Sequence, residues 1–135
     1  MEDALDMSGQ VVIVTGGGKG VGRGISRQFL EAGAEVIICG RNEPEEALEA
    51  GGHAPHFIAA DVRELDDVKK VVDFACEKFG RLDVLVNNAG GAPEADAATA
   101  SPRFSEAILR LNLMAPLNFS QKANAVMQEQ ESGGS

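Results

Sequence analysis

The chain has 135 residues, enough for one domain with a substantial core, and carries a formal net charge of -9. With no basic cluster anywhere along it, that acidity argues against a nucleic-acid surface or an anionic membrane as partner. No apolar run approaches a membrane span and the acidic stretch Met1 to Asp6 is no secretory signal, so the cytoplasm is the expected compartment.

Residues 1–9 read as a flexible leader ending at Ser8-Gly9. Val11-Val12-Ile13-Val14, apolar and β-branched, predicts a first strand. Thr15-Gly16-Gly17-Gly18-Lys19-Gly20-Val21-Gly22 follows, then a helical pattern with Val21, Ile25 and Phe29 at intervals of four, stopped by Gly33. Glycines there let backbone approach a pyrophosphate closely, and the free N–H groups of the helix's first turn point at that anion. A plain strand-to-helix turn also collects glycines, but the flanking strand and helix favour the phosphate site. Lys19 is followed by Gly20, so the magnesium-binding hydroxyl of a P-loop is absent, and the spacing is not G-x-G-x-x-G.

Val36-Ile37-Ile38-Cys39 predicts a second, fully buried strand. Glu43-Pro44-Glu45-Glu46 predicts a short helix ended by Gly51-Gly52. A third strand lies within His53 to Ala59, closing at Asp61-Val62; its two histidines, three apart and lacking partner ligands, read as surface or strand-edge residues and no metal is expected. Leu65, Val68, Val71, Val72, Ala75 and Phe79 form a helical stripe closed by Gly80. Val84-Leu85-Val86 is the fourth strand, running into Asn87-Asn88-Ala89-Gly90-Gly91. Residues 91–102 read as a mobile loop, Ser105 to about Gln128 as a long helix with Ile108, Leu111, Met114 and Ala115 on one side, and 131–135 as a turn-like tail. Cys39 and Cys76 show no paired spacing and read as buried thiols in a reducing compartment.

Strands alternating with helices predict a parallel sheet covered on both faces, in the order 3-2-1-4. The ligand crevice then lies at the carboxyl ends of strands one and four, where the glycine turn and Asn87 to Gly90 meet.

T-G-x-x-x-G-x-G at 15–22, Asp61-Val62, Asn87-Asn88-Ala89-Gly90 and Leu111-Asn112-Leu113 fall in the order and positions of a classical short-chain dehydrogenase/reductase, which the chain resembles from about residue 10 onward. The resemblance implies a doubly wound Rossmann-type α/β fold, with residues 10–135 as the amino-terminal part of one dinucleotide-binding domain. It implies an NAD(P)-dependent oxidoreductase acting on a small carbonyl or alcohol. Gly16, Gly18, Lys19, Gly20 and Val21 would then face the cofactor. Asp61 would accept from the adenine amino group, with the Val62 backbone beside it, although a helix-capping acid before Glu64 is the plainer role. Asn88, Ala89 and Gly90 would border the ribose, with Asn87 the more structural asparagine.

Cofactor choice turns on the end of strand two, where an acid grips the ribose of NAD and an Arg accommodates the 2′-phosphate of NADP. Here Gly40 stands in the acid's place, followed by Arg41 and Asn42, and Lys19 reaches toward the same phosphate; the sequence favours NADP, with NAD the alternative. Both cations simply solvated is the plain reading. Pro116 has no N–H for the carbonyl of Asn112, and the resemblance makes Asn112 a member of a proton relay; an ordinary proline kink is the alternative.

The family's chemistry needs a serine and a Tyr-x-x-x-Lys, and the chain has no tyrosine. It therefore reads as a cofactor-binding half, inactive by itself, complemented by a carboxyl-terminal segment or second chain, and forming a homo-dimer or tetramer when intact. A non-catalytic dinucleotide-binding module is the alternative.

Overall fold

The computed structural model describes residues 5–135. Four strands form one parallel sheet in the order β3-β2-β1-β4, as the alternating pattern predicts: β1 is Val11–Thr15, β2 Glu35–Gly40, β3 His56–Ala59 and β4 Val84–Val86. In register, Val12 lies against Val36 and Val84, and Val14 against Ile38 and Val86. The helices are α1 (Gly20–Glu31), α2 (Leu65–Phe79), α3 (Pro102–Leu109) and α4 (Ala115–Met127), the last two joined by a π-helical turn over Arg110–Met114.

Side chains of a strand alternate between faces, so β1 splits the core in two. Val11 and Ile13, with Ile37 and Cys39, pack under Val68, Val71, Val72 and Ala75 of α2 and Ala115, Phe119, Ala123 and Met127 of α4. Val12 and Val14, with Val36 and Ile38, pack against Leu30 of α1 and against Leu48 and Ala50. Every one of these residues is buried, which explains why the central strands read as unbroken apolar runs. No helix among the described residues is long and apolar enough to cross a membrane.

Several expectations are corrected. The segment from Glu43 to Gly51 forms no helix. Its carbonyls are taken elsewhere: Arg23 donates to the oxygens of Glu46 and Ala47, Leu48 is drawn into the core, and Ala50 pairs with His53. The buried stripe of α1 is Gly22, Ser26 and Leu30, one residue along from that predicted, and Val21 is 76% exposed. Leu65, at the first turn of α2, is 60% exposed, and Met114 also faces outward. The long helix starts at Pro102, earlier than Ser105, because the Ser101 hydroxyl caps it by accepting from the Phe104 N–H.

Of the leader expected over residues 1–9, residues 1–4 lie outside the described residues. Met7 donates its amide to the Ala32 carbonyl at 2.7 Å and packs against the α1 side of the core. At the other end, Glu131 to Gly133 turn as expected, but Ser135 joins the sheet. Its N–H donates to the Asp83 carbonyl and its carbonyl accepts from the Leu85 N–H, both at 2.8 Å, the bonding of a parallel pair beside β4. Two side chains hold that approach. The Gln130 amide bonds both the N–H and the carbonyl of Leu82, at 2.8 Å each, and Arg81 forks onto Asp83 at 2.7 and 2.5 Å. Asp83 also accepts from the Val11 N–H. Burial opposes its charge, yet the Arg81 guanidinium and that N–H hold its pKa below the usual carboxylate value.

Candidate functional site

The carboxyl ends of β1, β2 and β4 open onto a cleft of about 870 Å³. Gly16, Gly18, Lys19, Gly20, Val21, Arg41, Asn42, Asp61, Val62, Asn88, Ala89 and Gly90, all twelve predicted cofactor contacts, line it. Exposed Val21 belongs to this wall, which accounts for an apolar residue left out of the core.

The floor is the glycine turn. Gly16 has φ 63, a conformation that a side chain disfavours. At Gly22 a Cβ would collide with the Gly16 carbonyl and the Asn88 amide, so the turn closes on α1 only with glycine there. Buried Ser26, one turn along α1, donates its hydroxyl toward the carbonyls of Gly17 and Gly22, at 3.0 and 2.9 Å. Lys19 is the residue before α1, and neither it nor any acid of the first turn caps the helix with a side chain. The first N–H groups and the positive end of the dipole therefore face the cleft without a competing acid from the helix's own first turn.

Thr15 ties the floor to the β4 wall. Its buried hydroxyl accepts from the N–H groups of Asn88 and Ala89, at 3.0 Å each. The Asn88 amide returns two bonds, to the carbonyls of Thr15 and Gly16 at 3.0 and 3.2 Å. Asn87 is exposed and makes one, to the Ser120 hydroxyl at 3.1 Å. Asn88, not Asn87, is thus the more structural asparagine, because its side chain meets carbonyls that the end of β1 leaves open.

On the β2 and β3 side lie the charges. Arg41 is exposed, and neither its side chain nor that of Lys19 makes a hydrogen bond or ion pair among the described residues. Asp61 does not cap α2. Its carboxylate holds the Arg63 guanidinium at 2.9 and 2.7 Å, and this bonding lowers its pKa to about 2, with Arg41 adding a weaker attraction. The Asp61 N–H in turn donates to Asp67 at 2.8 Å. Cys39 lies at the cleft, and burial raises its thiol pKa to about 11, so it stays neutral. Cys76, expected to be buried, is only half-buried, and like Cys39 it forms no disulfide. No cluster of three or more potential metal ligands occurs among the described residues.

Asn112 stands just outside the cleft lining, in the π turn. Its amide accepts from the Gly91 N–H at 2.8 Å and donates to the Gly91 carbonyl at 2.9 Å and to the Ile108 carbonyl at 3.0 Å. The Ala115 N–H reaches back five residues, to Arg110, in the stretch where Pro116 has no N–H to give. Of the cleft residues that sequence reasoning did not assign to the site, three carry polar or packing roles there: Arg23, Pro44 and Arg63. Arg63 stands two places after an acid, a weak local signal; the other two meet the site only through tertiary packing.

Residues 10–134 match the family model described as short chain dehydrogenase. L-fucose dehydrogenase of Bos taurus is 43% identical over 110 residues, covering 79% of this chain and 40% of that protein. The ligand-free aldohexose dehydrogenase of Thermoplasma acidophilum superposes with a TM-score of 0.80 at 32% identity, over 90% of this chain and 45% of that one. The Pseudomonas aeruginosa RhlG/NADP active-site complex gives the same TM-score at 28% identity, over 95% and 52%. The chain thus spans about half the length, or less, of the proteins it matches.

Proposed function

The chain belongs to the short-chain dehydrogenase family, and from that premise we propose that its cleft binds NADP(H), in preference to NAD(H), for hydride transfer between a small carbonyl or alcohol and the nicotinamide. The observation carrying the preference is two cations without a hydrogen bond or ion pair among the described residues, Arg41 and Lys19, at one cleft whose β2 end offers Gly40 instead of an acid. A 2′-phosphate meets both without displacing an existing partner. The uncapped start of α1 takes the pyrophosphate. Asp61 accepts three bonds from Arg63, two at Oδ1 and one at Oδ2, which leaves Oδ2 able to accept from the adenine amino group next to the Val62 backbone. Asn88, Ala89 and Gly90 border the ribose, and the Thr15 knot keeps that wall in place.

When bound, the dinucleotide supplies or accepts the hydride. This chain's own part is to orient the cofactor and, through Asn112 at the π turn, to lead a proton relay toward the catalytic groups. With no tyrosine here, the acid/base, its lysine and the polarising serine would come from a complementary carboxyl-terminal segment or chain, in a cytoplasmic homo-dimer or tetramer. That same absence supports a second reading, a binding module without catalysis. Titration with NADPH and NADH tests the first: equal or tighter NADH binding overturns the preference. Carbonyl reduction by the complemented protein separates enzyme from module.

A further inference from the structure

We infer that Arg23 sets the 2′-phosphate subsite as a positioning residue, acting through the loop between β2 and β3; the inference rests on the NADP reading above. From the first turn of α1 its guanidinium donates to two successive carbonyls, Glu46 at 2.8 Å and Ala47 at 2.9 Å. Residues 41–49 have no helix or strand of their own, so outside anchors hold their backbone. There are three. Pro44 lies over Gly18, where an added Cβ would sit 2.7 Å from the proline Cγ. The Arg23 fork is the second, and buried Leu48 is the third.

Only Arg41, Asn42 and Glu43 separate the end of β2 from the first anchor. Arg41 has no hydrogen bond or ion pair of its own among the described residues, so its placement is inherited from the two ends of that short span. Arg23 directly follows Gly22, whose closeness to Gly16 fixes the glycine turn, so turn and loop move as one unit. Glu43, Glu45 and Glu46 line the same cleft, and a loosened loop would free their charges to approach a phosphate. The clamp therefore keeps a cation, and not a carboxylate, at the subsite. A lysine cannot reproduce it, because a planar fork meets two carbonyls at once and an ammonium is a single point of charge.

The test compares adenosine 2′,5′-bisphosphate with adenosine 5′-monophosphate, two nucleotides that differ by the phosphate in question. Calorimetric affinities are measured on the full chain for wild type, Arg23→Met and Arg23→Lys, with hydrogen exchange followed in residues 41–47 and, as a fold control, 68–75. Wild type should prefer the bisphosphate. Arg23→Met should erase about tenfold of that preference, the scale of one charge-assisted hydrogen bond, with monophosphate affinity within about twofold. Exchange should rise in 41–47 alone, and Arg23→Lys should fall between. If Arg23→Met unfolds, Arg23→Lys carries the same two readouts. Equal losses for both nucleotides, an unchanged preference, or unchanged loop exchange would overturn the inference. A wild type without preference overturns the NADP reading, and this inference with it, before any variant is made.

Discussion

Arg41 and Asp61 face one cleft with opposite charges and opposite degrees of commitment. Arg41 makes no hydrogen bond or ion pair among the described residues, only a weak attraction to Asp61, so replacing it costs the fold little and the ligand much. Arg41→Asp should turn the cofactor preference toward NADH, removing one partner of the phosphate and adding a repulsive charge; parallel titrations with both reduced cofactors measure it. Asp61 is already engaged by Arg63. Its pKa drops from 3.8 to about 2 on folding, so its pairing adds stability above the higher value and loses it as pH falls through the lower. Arg63→Ala should therefore destabilise the chain at pH 6 and have a much smaller effect near pH 2, read from urea midpoints at both. The gain is small, since the pair is partly exposed to solvent. A difference that persists in acid would show that Arg63 acts through packing.

The glycine turn and the π turn are the two elements whose backbone departs from regular geometry to make the site. At Gly22, alanine would force the turn off α1. Gly22→Ala should lower stability by about 1–3 kcal/mol, as overpacking does, and abolish nucleotide binding in the fraction that folds. Thermal melting with and without NADPH checks both parts. At the π turn, Pro116→Ala supplies the N–H that Asn112's carbonyl lacks, and alanine favours helix. The variant should keep its fold and slow turnover of the complemented enzyme, with a changed pH profile; unchanged turnover across pH would make the kink structural only. The sheet, its order and the cleft residues were legible because each rests on local pattern: β-branched runs, glycines, and asparagines after a strand. What was hidden depends on distant partners. The Glu43 segment has a helix's opening residues, but Arg23, some twenty residues earlier, takes its carbonyls. Val21 fits a helical stripe by spacing, and only the cleft explains why it faces out. Asn87 and Asn88 are identical in sequence, and the open carbonyls at the end of β1 decide between them.

Across the whole molecule, the apolar surface is uneven. Leu109, Leu113 and Leu117, four apart along α3, the π turn and α4, are each about half exposed, with Met114 beside them. Among the described residues, the outer edge of β4 is met by Ser135, at Asp83 and Leu85. Residues 1–135 expressed alone should therefore associate or melt at low temperature, and should not reduce carbonyls, having no tyrosine to stabilise a developing alkoxide. A cooperative melt as a monomer in sedimentation would overturn the first expectation, and reproducible turnover the second. The Gln130 amide, which grips Leu82 from 48 residues away, also carries a statement about time. A contact of that separation closes a long loop, so it is expected to form after β1, α1 and β2 have collapsed. Gln130→Ala should then leave the folding rate nearly unchanged and speed unfolding, the kinetic signature of a latch that shuts last.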